Sequence, residues 1–179
     1  MKDLVRLRTS LKEEIEIILN AQCKMEAEAS NKYLAMASWL ERNGFLQSAE
    51  YLYHQAEEER SHFLKIFKYI NDVGGTAITP FVSDVAQEYN SIKDVFEMAL
   101  QGEIAVSNSI NKIVAKCRES NDYATEEFIM WFVKEQREEE ANARRALELF
   151  ELIDVNSDSG KFLLDKEIGK ISGKKIIES

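Results

Sequence analysis

The sequence predicts an all-α protein: four long helices in a bundle, a long crossover between the second and third, and a short fifth helix at the C-terminus. Three observations predict it. One proline, Pro80, and seven glycines are spread over 179 residues, so breakers of long helices are scarce. Apolar residues recur at spacings of three and four through four long stretches, the mark of amphipathic helices. Residues 74–91, GGTAITPFVSDVAQEYNS, hold the lone proline and no helical stripe.

The first helix is expected over about residues 6–42, with Leu11, Ile15, Ile18, Ala29, Tyr33, Met36 and Leu40 as its stripe and Asn43-Gly44 as a left-handed stop. The second covers about 45–73, carries Phe45, Ala49, Leu52, Ala56, Phe63, Ile66, Ile70 and Val73, and stops at Gly74-Gly75. The third covers about 92–119, with Ile92, Phe96, Ala99, Val106, Ile110, Ile113 and Cys117. Asn121 or Asp122 caps the fourth, which carries Phe128, Phe132, Ala146 and Phe150 and runs to about Val155. KFLLDKEIGKI, after a VNSDSG turn, is the short fifth helix at about 160–171. Alone, it is too short to be stable in water. Together, residues 1–179 are expected to make a single domain with its bundle at about 6–155.

The link explains how the hairpins pair. A helix of about 30 residues is about 45 Å long, and about 17 extended residues reach roughly 56 Å. The link therefore spans the whole bundle, and the second hairpin starts back at the opposite end.

Hydrophobic residues make up 45% of the chain, too many for disorder. The net charge of −9 and a pI of about 4.9 disfavour nucleic acid and favour cations, although acidity often serves only solubility. Cys23 and Cys117 fit no zinc or Cys-x-x-Cys pattern and fall at core positions, as buried free thiols do. The first residues, MKDLVRLRTSLKEEIE, are charged and lack the apolar core of a signal peptide. No run approaches membrane-spanning length. A cytoplasmic protein without membrane association is expected.

Each apolar stripe is broken by one carboxylate: Glu26, Glu59, Glu103 and Glu139. An uncompensated buried carboxylate is costly or neutralises, so four on four core faces call for cations. Their levels agree. Glu26 and Glu59 stand about 17 and 16 residues from the first joint, and Glu103 and Glu139 about 18 from the second, so each pair matches along the axis within a few ångströms. His62 lies one turn from Glu59 on the same face. A lone Glu-x-x-His is usually a surface pair, and runs such as Glu57-Glu58 or Glu138-Glu140 are usually solvated. Tyr33 and Trp131, taken singly, read as packing. Four intrusions at one level weigh against the bland reading.

Carboxylates with one imidazole suit Fe²⁺ and Mn²⁺, with Zn²⁺ as competitor. Two metals bridged by Glu59 could give one electron each to dioxygen or peroxide. The two hairpins differ: Glu26 to Glu59 is 33 residues, followed by His62, whereas Glu103 plus 33 lands on Gln136, followed by Glu139. An amide replaces a bridging carboxylate and a carboxylate replaces a histidine, so the second metal is expected to be held less permanently. Glu58, Glu135 and Glu138 are expected to form an adjoining acidic site for metal in transit.

Four stretches carry a resemblance: LNAQCKMEAEASNKYLAMASW around Glu26 and Tyr33, AEEERSH around Glu59 and His62, QGEIAVSNSINK around Glu103, and WFVKEQREEE over Glu135 to Glu140. The chain resembles the ferritins, most closely the prokaryotic non-haem type, over nearly its full length. The resemblance implies a ferritin-like four-helix bundle that oxidises Fe²⁺ with O2 or H2O2 and stores it as a ferric oxide mineral. It implies a homo-oligomeric, hollow 24-subunit cage. Glu26, Glu59 and His62 resemble the first iron site of a dinuclear ferroxidase centre. Glu59, Glu103 and Glu139, with Gln136 nearby, resemble the second. Glu58, Glu135, Glu138 and Glu139 resemble a third site, and Tyr33 matches a tyrosine that supplies an electron. Arg60 stands where haem-binding relatives carry a methionine, so no haem is expected.

Three rival readings fit the sequence less well. A rubrerythrin-like di-iron peroxidase is disfavoured by the Gln136/Glu139 pattern and the missing rubredoxin-type cysteines. A structural or signalling bundle predicts no metal dependence. A miniature DNA-protecting relative would be shorter and would build its sites between subunits.

Overall fold

A computed structural model describes Val5 and residues 9–171. Five helices follow in order: α1 (Glu13–Arg42), α2 (Leu46–Asp72), α3 (Ile92–Ser120), α4 (Tyr123–Leu152) and α5 (Asp158–Ile168). The expected first helix started too early. Residues 9–12 are not helical, and residues 6–8 lie outside the described residues. Lys12 is the N-cap, with Glu13, Glu14 and Glu16 in the first turn, where negative charge suits the positive end of the helix dipole. Leu11 continued the apolar spacing but only packs against the core from outside the helix.

The stop and start signals act as their chemistry requires. Gly44 and Gly74 sit at φ 85° and 87°, a left-handed conformation that costs glycine little. Sequence spacing left two candidates for the α4 cap, and the two residues divide the work. Asn121, at φ 55°, closes α3, and the Asp122 carboxylate accepts from the Thr125 amide at 3.1 Å to open α4. Ser91 and Ser157 cap α3 and α5 in the same way.

α1 packs closely on α2 and on α3, and α3 on α4, whereas the backbones of α2 and α4 stay more than 8 Å apart, Cα to Cα. The apolar core falls into two halves. One holds Met36, Leu40, Leu52, Phe96 and Ala146. The other holds Ile15, Leu19, Ile66, Ile110 and Phe132. Cys23 and Cys117 are free, buried thiols in this second half, and burial pushes them up to about 12 and about 11.

The crossing segment follows α1 and is pinned near both ends. Asn20 accepts from the Ile78 amide at 2.8 Å and donates to the Thr76 carbonyl at 3.1 Å. Arg42 donates to the Gln87 carbonyl at 3.0 Å and to Glu88 at 3.1 Å. From Asn20 to Arg42 the helix rises about 33 Å, and the stretch from Ile78 to Gln87 covers about 30 Å when extended. The link is thus about as long as the helix it follows, which leaves no room for a helical stripe.

α5 is held by Leu164 and Ile168, both fully buried, against the start of α2 and the end of α4. Gly160 is required at its base, because a Cβ there would lie 1.8 Å from the Asp154 carbonyl oxygen. Asp165 adds a polar tie. Phe45, the N-cap of α2, supplies no side-chain cap. Asp165 accepts instead from the Gln47 and Ser48 amides at 3.1 and 2.8 Å, so α5 caps α2 from outside. Asp165→Ala is expected to lower stability by about 1–2 kcal/mol, with Asp165→Asn losing less. Thermal unfolding of the two variants checks this.

Candidate metal centre

Between the two apolar halves lies a layer of buried polar side chains. Gln22 and Glu26 come from α1, Gln55, Glu59 and His62 from α2, Glu103 from α3, and Gln136 and Glu139 from α4, none more than 6% exposed. The layer occupies the middle of each long helix, where the apolar spacing brings each carboxylate to the inward face.

Glu26, Glu59 and His62 each offer a ligand atom, and the three atoms lie within 4.8 Å of one another. His62 Nδ1 is 3.2 Å from Glu59 Oε2. One oxygen of Glu26 accepts from Gln22 Nε2 at 2.8 Å, and Ser109 on α3 donates to Gln22 Oε1 at 2.5 Å. The other oxygen, Glu26 Oε2, is buried without a hydrogen-bond partner. Such an orphan is rare in folded proteins and calls for an ion or a proton. On the far side of the layer Glu103 accepts from the Tyr33 hydroxyl and from Gln136 Nε2 at 2.9 Å. Gln55 Nε2 bridges Glu58 at 2.6 Å and Glu139 at 3.1 Å.

Electrostatics agree with the geometry. Burial, then the neighbouring Glu59 charge, raises the Glu26 carboxyl well above its ordinary range. Burial, then the Glu103 charge, does the same for Glu59. Burial raises Glu103 too, while hydrogen bonds from Tyr33 and Gln136 pull it back. Glu139 is pushed up to about 9 by burial and by the charges of Glu58, Glu103, Glu135 and Glu138. Four carboxyls in one dry layer therefore favour protons or a cation over bare charge. Oxygen donors with a single imidazole fit ferrous and ferric ions as well as Mn²⁺.

Every sequence-predicted residue can be placed. Glu26, Glu59 and His62 come together in one cluster. Glu103 and Glu139 join the same layer and act on Glu59 electrostatically. Gln136 adjoins them with its amide turned toward Glu103, and the Tyr33 hydroxyl is satisfied by Glu103. Glu58 is exposed and Glu135 and Glu138 are half-buried. Among the described residues the Glu26, Glu59 and His62 donors form the one such trio, and it includes none of these three.

Sequence reasoning missed the supports. Gln22 and Gln55 each stand four residues before a layer glutamate, a repeated spacing that could have revealed them. Trp131 also does more than fill space: its ring meets His62 edge-on at 5.6 Å and lies 3.4 Å beneath the Lys65 ammonium. Nothing in the spacing predicted that cation–π contact.

Comparisons with known proteins agree with this architecture. The family model described as Ferritin-like domain matches residues 17–153. A probable bacterial non-heme ferritin-like protein of Haemophilus influenzae is 35% identical over 164 residues, covering 92% of this chain and 99% of the relative. A bacterial non-heme ferritin of Campylobacter jejuni is 33% identical and covers 90% of this chain and 96% of its own. Among solved structures, an open-pore ferritin from the archaeon Archaeoglobus fulgidus superposes with a TM-score of 0.86 at 30% identity, covering 90% of this chain and 98% of that one. With matched family residues reaching into all four long helices, and relatives aligned along nearly their whole length, the chain belongs to the ferritin family, in its prokaryotic non-haem branch.

Proposed function

We propose that this protein stores iron. It takes up ferrous ions at a dinuclear centre in the polar layer, oxidises them, and passes the ferric product to a mineral inside a homo-oligomeric cage of 24 subunits. The observation that carries this reading is the buried trio of Glu26, Glu59 and His62, with ligand atoms within 4.8 Å of one another and an unpartnered Glu26 oxygen beside them. Glu26, Glu59 and His62 hold the first ferrous ion. Glu59, Glu103 and Glu139 hold the second, with Gln136 orienting Glu103. Each ion loses one electron. Dioxygen takes the pair with two protons and leaves as hydrogen peroxide, or peroxide takes the pair with two protons and leaves as two waters. Tyr33, bonded to Glu103, is placed to supply an electron. Glu58, Glu135 and Glu138 form the acidic approach by which metal reaches and leaves Glu139.

The bacterial relatives are named as non-heme ferritins, which supports storage over a peroxidase. Size-exclusion chromatography after ferrous loading in air separates the two readings. A store elutes as a large particle retaining hundreds of irons, whereas an enzyme keeps a few per subunit.

Metal entry displaces protons, and this gives a stability signature. The layer glutamates have pKa values raised by folding, Glu139 to about 9. The folded, metal-free protein therefore holds more protons than the unfolded chain between the ordinary carboxylate range and pH about 9. Its stability is full at low pH and declines as pH rises through that window. The thermal midpoint of metal-free protein is expected to fall from pH 5 to pH 9, and saturating Mn²⁺ is expected to flatten the fall. Differential scanning calorimetry with and without the ion checks both. For the acidic approach, the Glu135→Ala, Glu138→Ala double variant is expected to lose one binding event in an anaerobic ferrous titration while Glu26, Glu59 and His62 still bind.

A further inference from the structure

A cavity of about 260 Å³ opens between α3 and α4 on the flank away from the acidic approach. Ser107, Asn111, Val133, Gln136 and Arg137 line it, with Arg144 and Glu140 at its rim. Its volume holds several molecules the size of water. Its inner wall is Gln136, which is 3% exposed and donates to the Glu103 carbonyl at 3.3 Å and to Glu103 Oε2 at 2.9 Å. One side chain therefore separates the cavity from a carboxylate of the polar layer. Ser107, one helical turn beyond Glu103, has a buried hydroxyl with no protein partner, free to bond a small polar guest.

The charges sort the two flanks of α4. Successive residues turn about 100° around a helix. Gln136, Glu140 and Arg144 thus form one row, and Glu135, Glu138 and Asn142 lie on the other side of the buried stripe. Arg144 is tied to Glu140 at 3.2 Å. Arg137 has no ion-pair partner among the described residues, so the lining keeps a surplus positive charge. Glu58, Glu135 and Glu138 all bear on Glu139 from the opposite flank. A divalent cation is drawn to one side and repelled by the other, whereas an uncharged molecule is indifferent to both.

We propose that the α3–α4 cavity is the entrance by which a small uncharged oxidant, dioxygen or hydrogen peroxide, reaches the polar layer, separate from the acidic flank that admits the metal ion. This rests on the ferroxidase reading above. The oxidant accepts one electron from each of two ferrous ions and two protons, and it leaves as hydrogen peroxide or as two waters. Separate entrances keep the oxidant from meeting ferrous ion before both are in the centre.

The test closes the cavity from either wall, with Ser107→Leu on α3 and Val133→Phe on α4. Ser107→Ala removes the hydroxyl without filling the space. Anaerobic Co²⁺ titration followed by absorbance reports metal binding, and stopped-flow oxidation of bound Fe²⁺ is run in separate dioxygen and peroxide arms. The filled variants are expected to bind Co²⁺ as the unaltered protein does and to oxidise Fe²⁺ at least about fivefold more slowly, with Ser107→Ala within about twofold. Slowing in one arm alone assigns the entrance to that oxidant. Unchanged rates in both arms for a folded filled variant overturn the proposal, as does a matching loss of Co²⁺ binding. If the unaltered protein oxidises no iron, the ferroxidase reading itself fails, and that result is distinct from an unchanged filled variant.

Discussion

Four carboxyl groups are enclosed between two apolar halves of one bundle, and the rest of the structure answers to that constraint. Removing one unpaired carboxylate from water costs several kcal/mol even after relaxation, on the order of the whole stability of a domain. The fold manages this by distributing donors. Gln22 supports Glu26, Tyr33 and Gln136 support Glu103, and Gln55 supports Glu139. These bonds are too few to satisfy every oxygen, and Glu26 Oε2 stays unpartnered. The layer is stable enough to exist and short enough of donors to want a cation.

The architecture of the bundle follows from accommodating that layer. α1 packs closely onto α3, while the backbones of α2 and α4 remain more than 8 Å apart. Gln55 holds Glu58 on its own helix and reaches across the wider seam to Glu139. Binding chemistry and helix packing are therefore one arrangement seen from two sides. His62 shows this most directly, held by Glu59 on its own helix and by the rings of Trp131 and Phe132 from α4.

Much of this was legible in the sequence because it depends on periodicity. Spacings of three and four located the four long helices, and equal distances from the two turns placed Glu26, Glu59, Glu103 and Glu139 at one level. Features set by contacts between distant segments were not legible. Leu11 fits the apolar spacing, so the pattern extended the first helix beyond its true start at Glu13. Nothing in the spacing marks Asp165 on its short helix, and only docking makes it the cap of α2. The inward turn of Gln136 toward Glu103 was equally hidden, because spacing puts a residue on a face without saying which neighbour it will bond.

The crossing segment has a consequence for alignment. Pinned to α1 by Asn20 near one end and by Arg42 near the other, it works as a measuring strap between the hairpins. Loss of a residue or two would drag the start of α3 along the bundle, carrying Glu103 out of step with Glu59 although every ligand was still present in the chain. Extra residues would merely bow outward. The length of an unadorned surface stretch thus guards the registration of groups buried at the bundle's centre.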